Sequence, residues 1–242
     1  MTIPYGSAAF LWSDVDNFYA KCTIGESLPG YLIDDERNRA LVWKVLPPLT
    51  KDIDDGWSWF YEKDMDEITK ELEDATRTAF AKVGSGEQAV IQTNPGNVGT
   101  LPYLPLRSFA EKTFDPEERK KHPFGLRKKN ANGDETIIIL TPGLGAIYKR
   151  LCITLHHNLL PADIPSLLQK MDELAPERKT EEGQIWGLDP SSELAKAFEA
   201  ISERKVDQHI RKGQQAHLLA VASYLPNGEK VDFIDSQIWN WC

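Results

Sequence analysis

Hydrophobic residues follow two rhythms along this chain. One is helical. Tyr61, Met65, Ile68, Leu72, Ala75, Ala79 and Val83 recur at three- and four-residue spacing. This predicts an amphipathic helix from Phe60 to Val83 with Tyr61, Met65, Ile68 and Leu72 against a core. Its opposite face is acidic, and Gly84 is placed to end it. The other rhythm is the short unbroken apolar run. Ala8 to Trp12, Ala40 to Leu46, Gln88 to Thr93 and Ile137 to Leu140 have strand length. Pro47-Pro48 and Asn94-Pro95-Gly96 stop two of them.

Three further helices are expected after Leu140. The first spans Ala146 to Leu160. The second spans Asp163 to Ala175, with Asp163 as cap and Pro165 in the first turn. The third begins after Pro190-Ser191 and runs toward Gly213, with Leu194, Ala197, Phe198 and Ile201 on one face. A short helix also fits Asp14 to Cys22, capped by Ser13 or Asp14. The chain closes with a predicted hairpin, His217 to Leu225 and Lys230 to Trp239, about the turn Asn227-Gly228. Between Asn94 and Gly133 the chain is rich in Pro, Gly and charge, and a long ordered loop is expected there. The resulting fold class is α+β: a mixed or antiparallel sheet packed by about four to five helices, with the C-terminal β-hairpin joining the sheet. No stretch has the composition of a flexible tether, so residues 1–242 are expected to form one compact domain.

Composition narrows the functional classes. The net charge is −9, which disfavours broad nucleic-acid binding. Residues 52–74 hold ten acidic residues and two lysines, whereas residues 107–129 hold eight basic and four acidic residues. Both stretches fit solvated faces. Three cysteines, Cys22, Cys152 and Cys242, are spaced too widely for a zinc knuckle or a redox pair. Free thiols, no secretion-type N-terminus and no apolar run of membrane-spanning length place the expected location in the cytoplasm. Seven tryptophans favour a deep core or a binding surface.

Two stretches carry candidate chemistry. In the first, Ile137 to Leu140 leads into Thr141-Pro142-Gly143-Leu144-Gly145 and the expected helix. A strand, a glycine turn and a helix N-terminus can present backbone N–H groups to a phosphate or carboxylate. The expected ligand-binding residues are Gly143, Leu144, Gly145 and Ala146, with Lys149 as charge partner. Tyr148 occupies the third glycine position of the dinucleotide fingerprint, which departs from the pattern of a classical Rossmann site. The second stretch, Ser13-Asp14-Val15-Asp16-Asn17-Phe18-Tyr19-Ala20-Lys21-Cys22, resembles the first metal-binding segment of the Y-family DNA polymerases. The resemblance implies Asp14 as a metal ligand, Phe18 and Tyr19 as nucleotide contacts, and Asp134-Glu135 as the second acidic site of a two-magnesium phosphoryl transfer. It spans about ten residues and a dipeptide, as short motifs do. The family's arginine- and tyrosine-bearing nucleotide segment has no counterpart here. No nucleophile elbow, zinc-helix motif or Walker loop occurs. The expected function is therefore a non-catalytic intracellular binding protein: an inhibitor, adaptor or immunity-type partner of another protein. The alternative is a small-molecule enzyme or ligand binder at Gly143 and Gly145. The cofactor, if the chain takes one, is unknown from the sequence.

Overall fold

A computed structural model describes residues 8–22, 30–33, 35, 38–48, 55–82, 90–96, 101, 115, 117, 120–142, 149–212, 217–225, 231–234 and 237. In chain order its strands and helices are β1 (Ala8–Ser13), β2 (Leu32–Ile33), β3 (Arg39–Lys44), β4 (Ser58–Phe60), α1 (Met65–Lys82), β5 (Val90–Gln92), β6 (Gly125–Lys129), β7 (Glu135–Pro142), β8 (Arg150–His157), α2 (Ile164–Arg178), β9 (Glu182–Trp186), α3 (Glu193–Glu199), β10 (Asp207–Ile210), β11 (Leu218–Ser223) and β12 (Asp232–Ile234). The fold is α+β with a mixed, mainly antiparallel sheet, as the sequence pattern predicts.

Seven strands form the main sheet in the order β10-β3-β9-β8-β7-β6-β4. Only β8 and β9 are parallel, and α2 is the crossover between them. The apolar run in β7 is explained by its central place. Alternate residues face opposite sides, and both sides are covered. Ile138 and Leu140 pack with Leu151, Ile153, Ile185 and the α2 residues Ile164, Leu167, Leu168 and Met171. Ile137 and Ile139 pack with Phe60, Phe124, Leu155 and the α1 residues Met65, Ile68 and Leu72. The α1 stripe is therefore core over its N-terminal half, while Tyr61 is half-buried and Ala79 is exposed.

A bulge reconciles the two faces of β8. Leu140 pairs with Ile153 and Ile139 with Leu155, so Thr154 is the extra residue. Its hydroxyl donates to the Ile139 carbonyl at 3.0 Å, which keeps a polar side chain satisfied inside the sheet. The bulge moves Leu155 onto the α1 side, where Ile139 also lies.

Several expectations are corrected. The helix expected over Ala146 to Leu160 is the strand β8 from Arg150 onward. Leu151 to Leu155 is an apolar run buried on both faces, and such a run carries no period that separates strand from helix. The stretch expected as loop up to Gly133 contains β6. Gly125 begins that strand because a Cβ there would meet the Ile138 carbonyl oxygen and the Phe60 ring. The helix expected to run toward Gly213 ends at Glu199, and β10 follows a left-handed turn residue, Lys205. β9 was not expected at all. Its Gly183 leaves room for the Trp43 indole, which a Cβ would strike. Asp163 and Pro165 do stand at the start of α2. The Asp163 carboxylate makes no cap to that helix, however; it holds Lys128 at 2.7 Å and accepts from the Leu160 N–H at 3.4 Å. The strands on either side of Asn227-Gly228 pair elsewhere: β11 lies between β1 and β2, and β12 runs parallel to β5.

Among the described residues no helix is long and apolar enough to cross a membrane.

Candidate functional site

Three short elements make a corner of the molecule: the end of β1, a 3-10 turn at Asp16–Lys21, and β2. Local hydrogen bonding sets the turn. The Ser13 hydroxyl donates to the Asp16 carbonyl at 2.9 Å and accepts from the Val15 N–H at 3.3 Å. Asp16 sits in the left-handed region at φ 54°, a conformation short polar residues tolerate. The Tyr31 N–H then donates to the Tyr19 carbonyl at 3.0 Å, tying β2 to the turn. Gly30 lies against the Ala20 carbonyl, where a Cβ would collide.

A buried polar network anchors this corner to the main sheet. The Asp14 carboxylate meets His217 Nδ1 at 2.5 Å and accepts from the His217 N–H at 3.2 Å. The His217 carbonyl accepts from Arg211 Nη1 at 2.5 Å. Arg211 Nη2 donates to Asn38 Oδ1 at 3.0 Å, and that same oxygen accepts from the Leu219 N–H at 2.7 Å. Asn38 Nδ2 returns a hydrogen bond to the Leu219 carbonyl at 2.9 Å. The guanidinium carbon of Arg211 lies 3.7 Å from the centroid of Trp186 and 5.7 Å from that of Trp12. Burial pushes the Arg211 pKa downward. Stacking on the two indoles and the carbonyl acceptors offset the cost of burying the cation. His217, like Asp16, has a positive φ, at 48°. The three-stranded and seven-stranded sheets are thus joined through Asn38, Arg211 and the Trp12–Trp186 contact, whose ring centroids are 6.1 Å apart.

The same corner carries several exposed apolar side chains. Five large hydrophobic side chains are exposed among the described residues, and four of them belong to the corner: Phe10 at 36%, Val15 at 46%, Phe18 at 63% and Leu32 at 59%. Register brings two of these together, because Phe10 pairs with Val221 and Val221 with Leu32 across β1, β11 and β2. The Phe18 ring meets Tyr19 edge-on at 5.2 Å, which limits its freedom.

The acidic residues expected to share a metal are not gathered into one group among the described residues. Gly143, Leu144, Gly145 and Ala146 lie outside the described residues. Lys149 is exposed and pairs with Glu181 at 3.1 Å. The chain that follows it is strand, so the dipole of a helix expected over 146–160 is not available beyond Lys149. No three His, Cys, Asp or Glu side chains among the described residues are arranged to hold a metal ion, so Asp14, Asp134 and Glu135 do not form such a group. Asp134 closes the β6–β7 turn, where its N–H donates to Asn130 Oδ1 at 3.1 Å. Glu135 instead faces Glu71 of α1, whose pKa is raised by burial and by the Glu135 charge. Asp14 is engaged by His217, and the Ser13 hydroxyl is spent on a backbone carbonyl. Both groups are thus already engaged by other parts of the chain.

No family model matches the chain, and no curated protein is found to be similar to it.

Sequence reading did not find His217 as the partner of Asp14, nor Asn38, Arg211 and Trp186 as the rest of the network. They come from distant parts of the chain and share no spacing. The local cue was Ser13-Asp14-Val15-Asp16, a turn signal whose polar side chains bond to nearby backbone.

Proposed function

We propose that this chain is a non-catalytic binding protein, of inhibitor, adaptor or immunity type, that engages another protein through the corner built by β1, the Asp16–Lys21 turn and β2. The observation that carries this reading is the concentration of exposed apolar side chains, Phe10, Val15, Phe18 and Leu32, on elements that touch one another. Scattered surface hydrophobes are ordinary; contiguous ones mark interaction sites. The underlying network of Asp14, His217, Arg211 and Asn38 supports the same reading. It holds the corner in one shape before binding, which reduces the ordering cost of association. The free thiols of Cys22 and Cys152 suit a reducing, cytoplasmic setting.

The test is affinity purification from native extract with wild type, Phe18→Ser, Leu32→Ser and Phe80→Ser, followed by binding of the recovered partner in purified form. Phe80 is 48% exposed on α1 and serves as the distant apolar control. A partner that is lost with Phe18→Ser and Leu32→Ser but kept with Phe80→Ser supports the proposal. A purified partner that binds all four equally well refutes it.

A further inference from the structure

We infer that the occupant of this corner is an apolar segment of another protein flanked by lysine or arginine. The inference rests on the corner being the binding face, and it adds the chemistry of the partner. Three exposed carboxylates, Asp14, Asp16 and Asp35, lie on the same short elements as the exposed apolar residues or directly beside them in the chain. Asp16 lies between Val15 and Phe18 in the chain, and Asp35 follows β2. The Asp14 side chain retains 47% exposure while its partner His217 retains 10%, so the carboxylate is the part of that pair that meets solvent. Lys21 is the cation of the same turn. Arg211, the cation of the underlying network, is 6% exposed and lies over the Trp186 ring. Among the described residues of the corner, exposed apolar side chains thus stand beside three exposed carboxylates and one exposed lysine.

A complementary partner places apolar side chains on Val15 and Phe18 and cations on the carboxylates. Such pairing speeds encounter and rejects partners with acidic flanks. It also argues against a second copy of this chain. Two copies meeting through this face would oppose their own carboxylates, and each copy carries a net charge of −9.

Fluorescence anisotropy with four labelled amphipathic peptides of one length tests this. Three share the same leucine and phenylalanine positions and carry lysine, glutamine or glutamate at the flanks. The fourth keeps the lysines and replaces the apolar residues by serine. Each is titrated with the full chain, with Phe18→Ser, with Val15→Ser and with Asp16→Asn. Asparagine tolerates the left-handed conformation of residue 16, so the last variant removes charge alone. The lysine peptide should bind tightest and the serine peptide should not bind. Asp16→Asn should weaken the lysine peptide by roughly threefold, the scale of one exposed charge pair. That loss should vanish in high salt, and Phe18→Ser should abolish binding.

If the glutamate peptide binds as well as the lysine peptide and both are lost with Phe18→Ser, the partner chemistry is wrong while the face stands. If no peptide binding responds to Phe18→Ser or Val15→Ser, or no peptide binds at millimolar concentration, the inference fails, and in the first of these cases the face fails with it. Sedimentation velocity showing a dimer of the chain that Phe18→Ser dissolves would also overturn it, since the occupant would then be a second copy.

Discussion

Cys152 and Cys22 are the same residue type with opposite accessibility. Burial in β8 pushes the Cys152 thiol up to about 12, whereas Cys22 lies exposed at the end of the 3-10 turn. A thiol reagent at pH 8 should therefore modify Cys22 in the native protein and Cys152 only after unfolding. Rapid native labelling of Cys152, located by peptide mapping, would show that β8 is not closed. His156 makes a second residue-scale prediction. Burial, aided by the charge of His157, lowers its pKa to about 4. The unfolded chain then binds a proton near pH 6.5 that the folded chain binds only near pH 4. Stability therefore falls as pH drops through that window, by about 1–2 kcal/mol between pH 7 and pH 5. Urea unfolding at the two pH values measures it, and His156→Gln should make the loss smaller. Arg211→Met should cost about 2–4 kcal/mol, because it leaves the buried carbonyl of His217 without its donor and removes one donor from Asn38.

The elements show how one helix can be half core and half surface. Along α1, Met65, Ile68 and Leu72 are buried, and the last turns carry exposed Ala79 and Phe80. Leu72→Ala should cost about 2–5 kcal/mol, and Ala79→Ser about 0.5 kcal/mol or less. Equal denaturant midpoints for the two variants would contradict this division of the helix. In α2 the buried Asp172 carboxylate holds Arg204 through both oxygens, at 2.9 and 2.6 Å, and accepts from the Leu46 N–H at 2.9 Å. The crossover helix is thereby tied to the chain after β3 and to the turn after α3. Losing one member of such a pair leaves an uncompensated buried charge, so Asp172→Ala should be among the more damaging single changes, at about 3–5 kcal/mol.

At the scale of the whole molecule, β7 and β8 sit in the middle of the main sheet with apolar layers on both faces, while β1, β11 and β2 form a separate small sheet. Local opening follows burial and pairing. Hydrogen exchange should be slowest for the amides of Ile138 to Thr141 and Leu151 to Ile153, and faster in β1 and β2. Uniform protection across both sheets would show that the corner and the main sheet open as one unit. The corner also answers how the molecule presents a surface. Its apolar residues are local in sequence, from Phe10 to Leu32, yet its hydrogen bonds to the rest of the fold run through Asn38, Arg211 and His217.

What the chain determined by itself is its set of strongly patterned segments. The stripe Met65-Ile68-Leu72, the runs Ala40 to Trp43 and Ile137 to Leu140, and the proline-started helix after Asp163 were legible because burial of one face or both leaves a period in the residues themselves. Tertiary structure alone decided that Leu151 to Leu155 is strand, because pairing on both edges with β7 and β9 outweighs any local preference. It also decided that β11 joins β1 and β2, although Asn227-Gly228 signals a local turn. The buried apolar pairing of Leu218 to Ala222 with β1 competes with the hairpin for the same strand edges. The candidate site divides in the same way. Its exposed apolar residues were present in the sequence, but the stacking of a buried arginine on Trp186, which links the two sheets, was not. That partnership spans distant parts of the chain, and no local spacing records it.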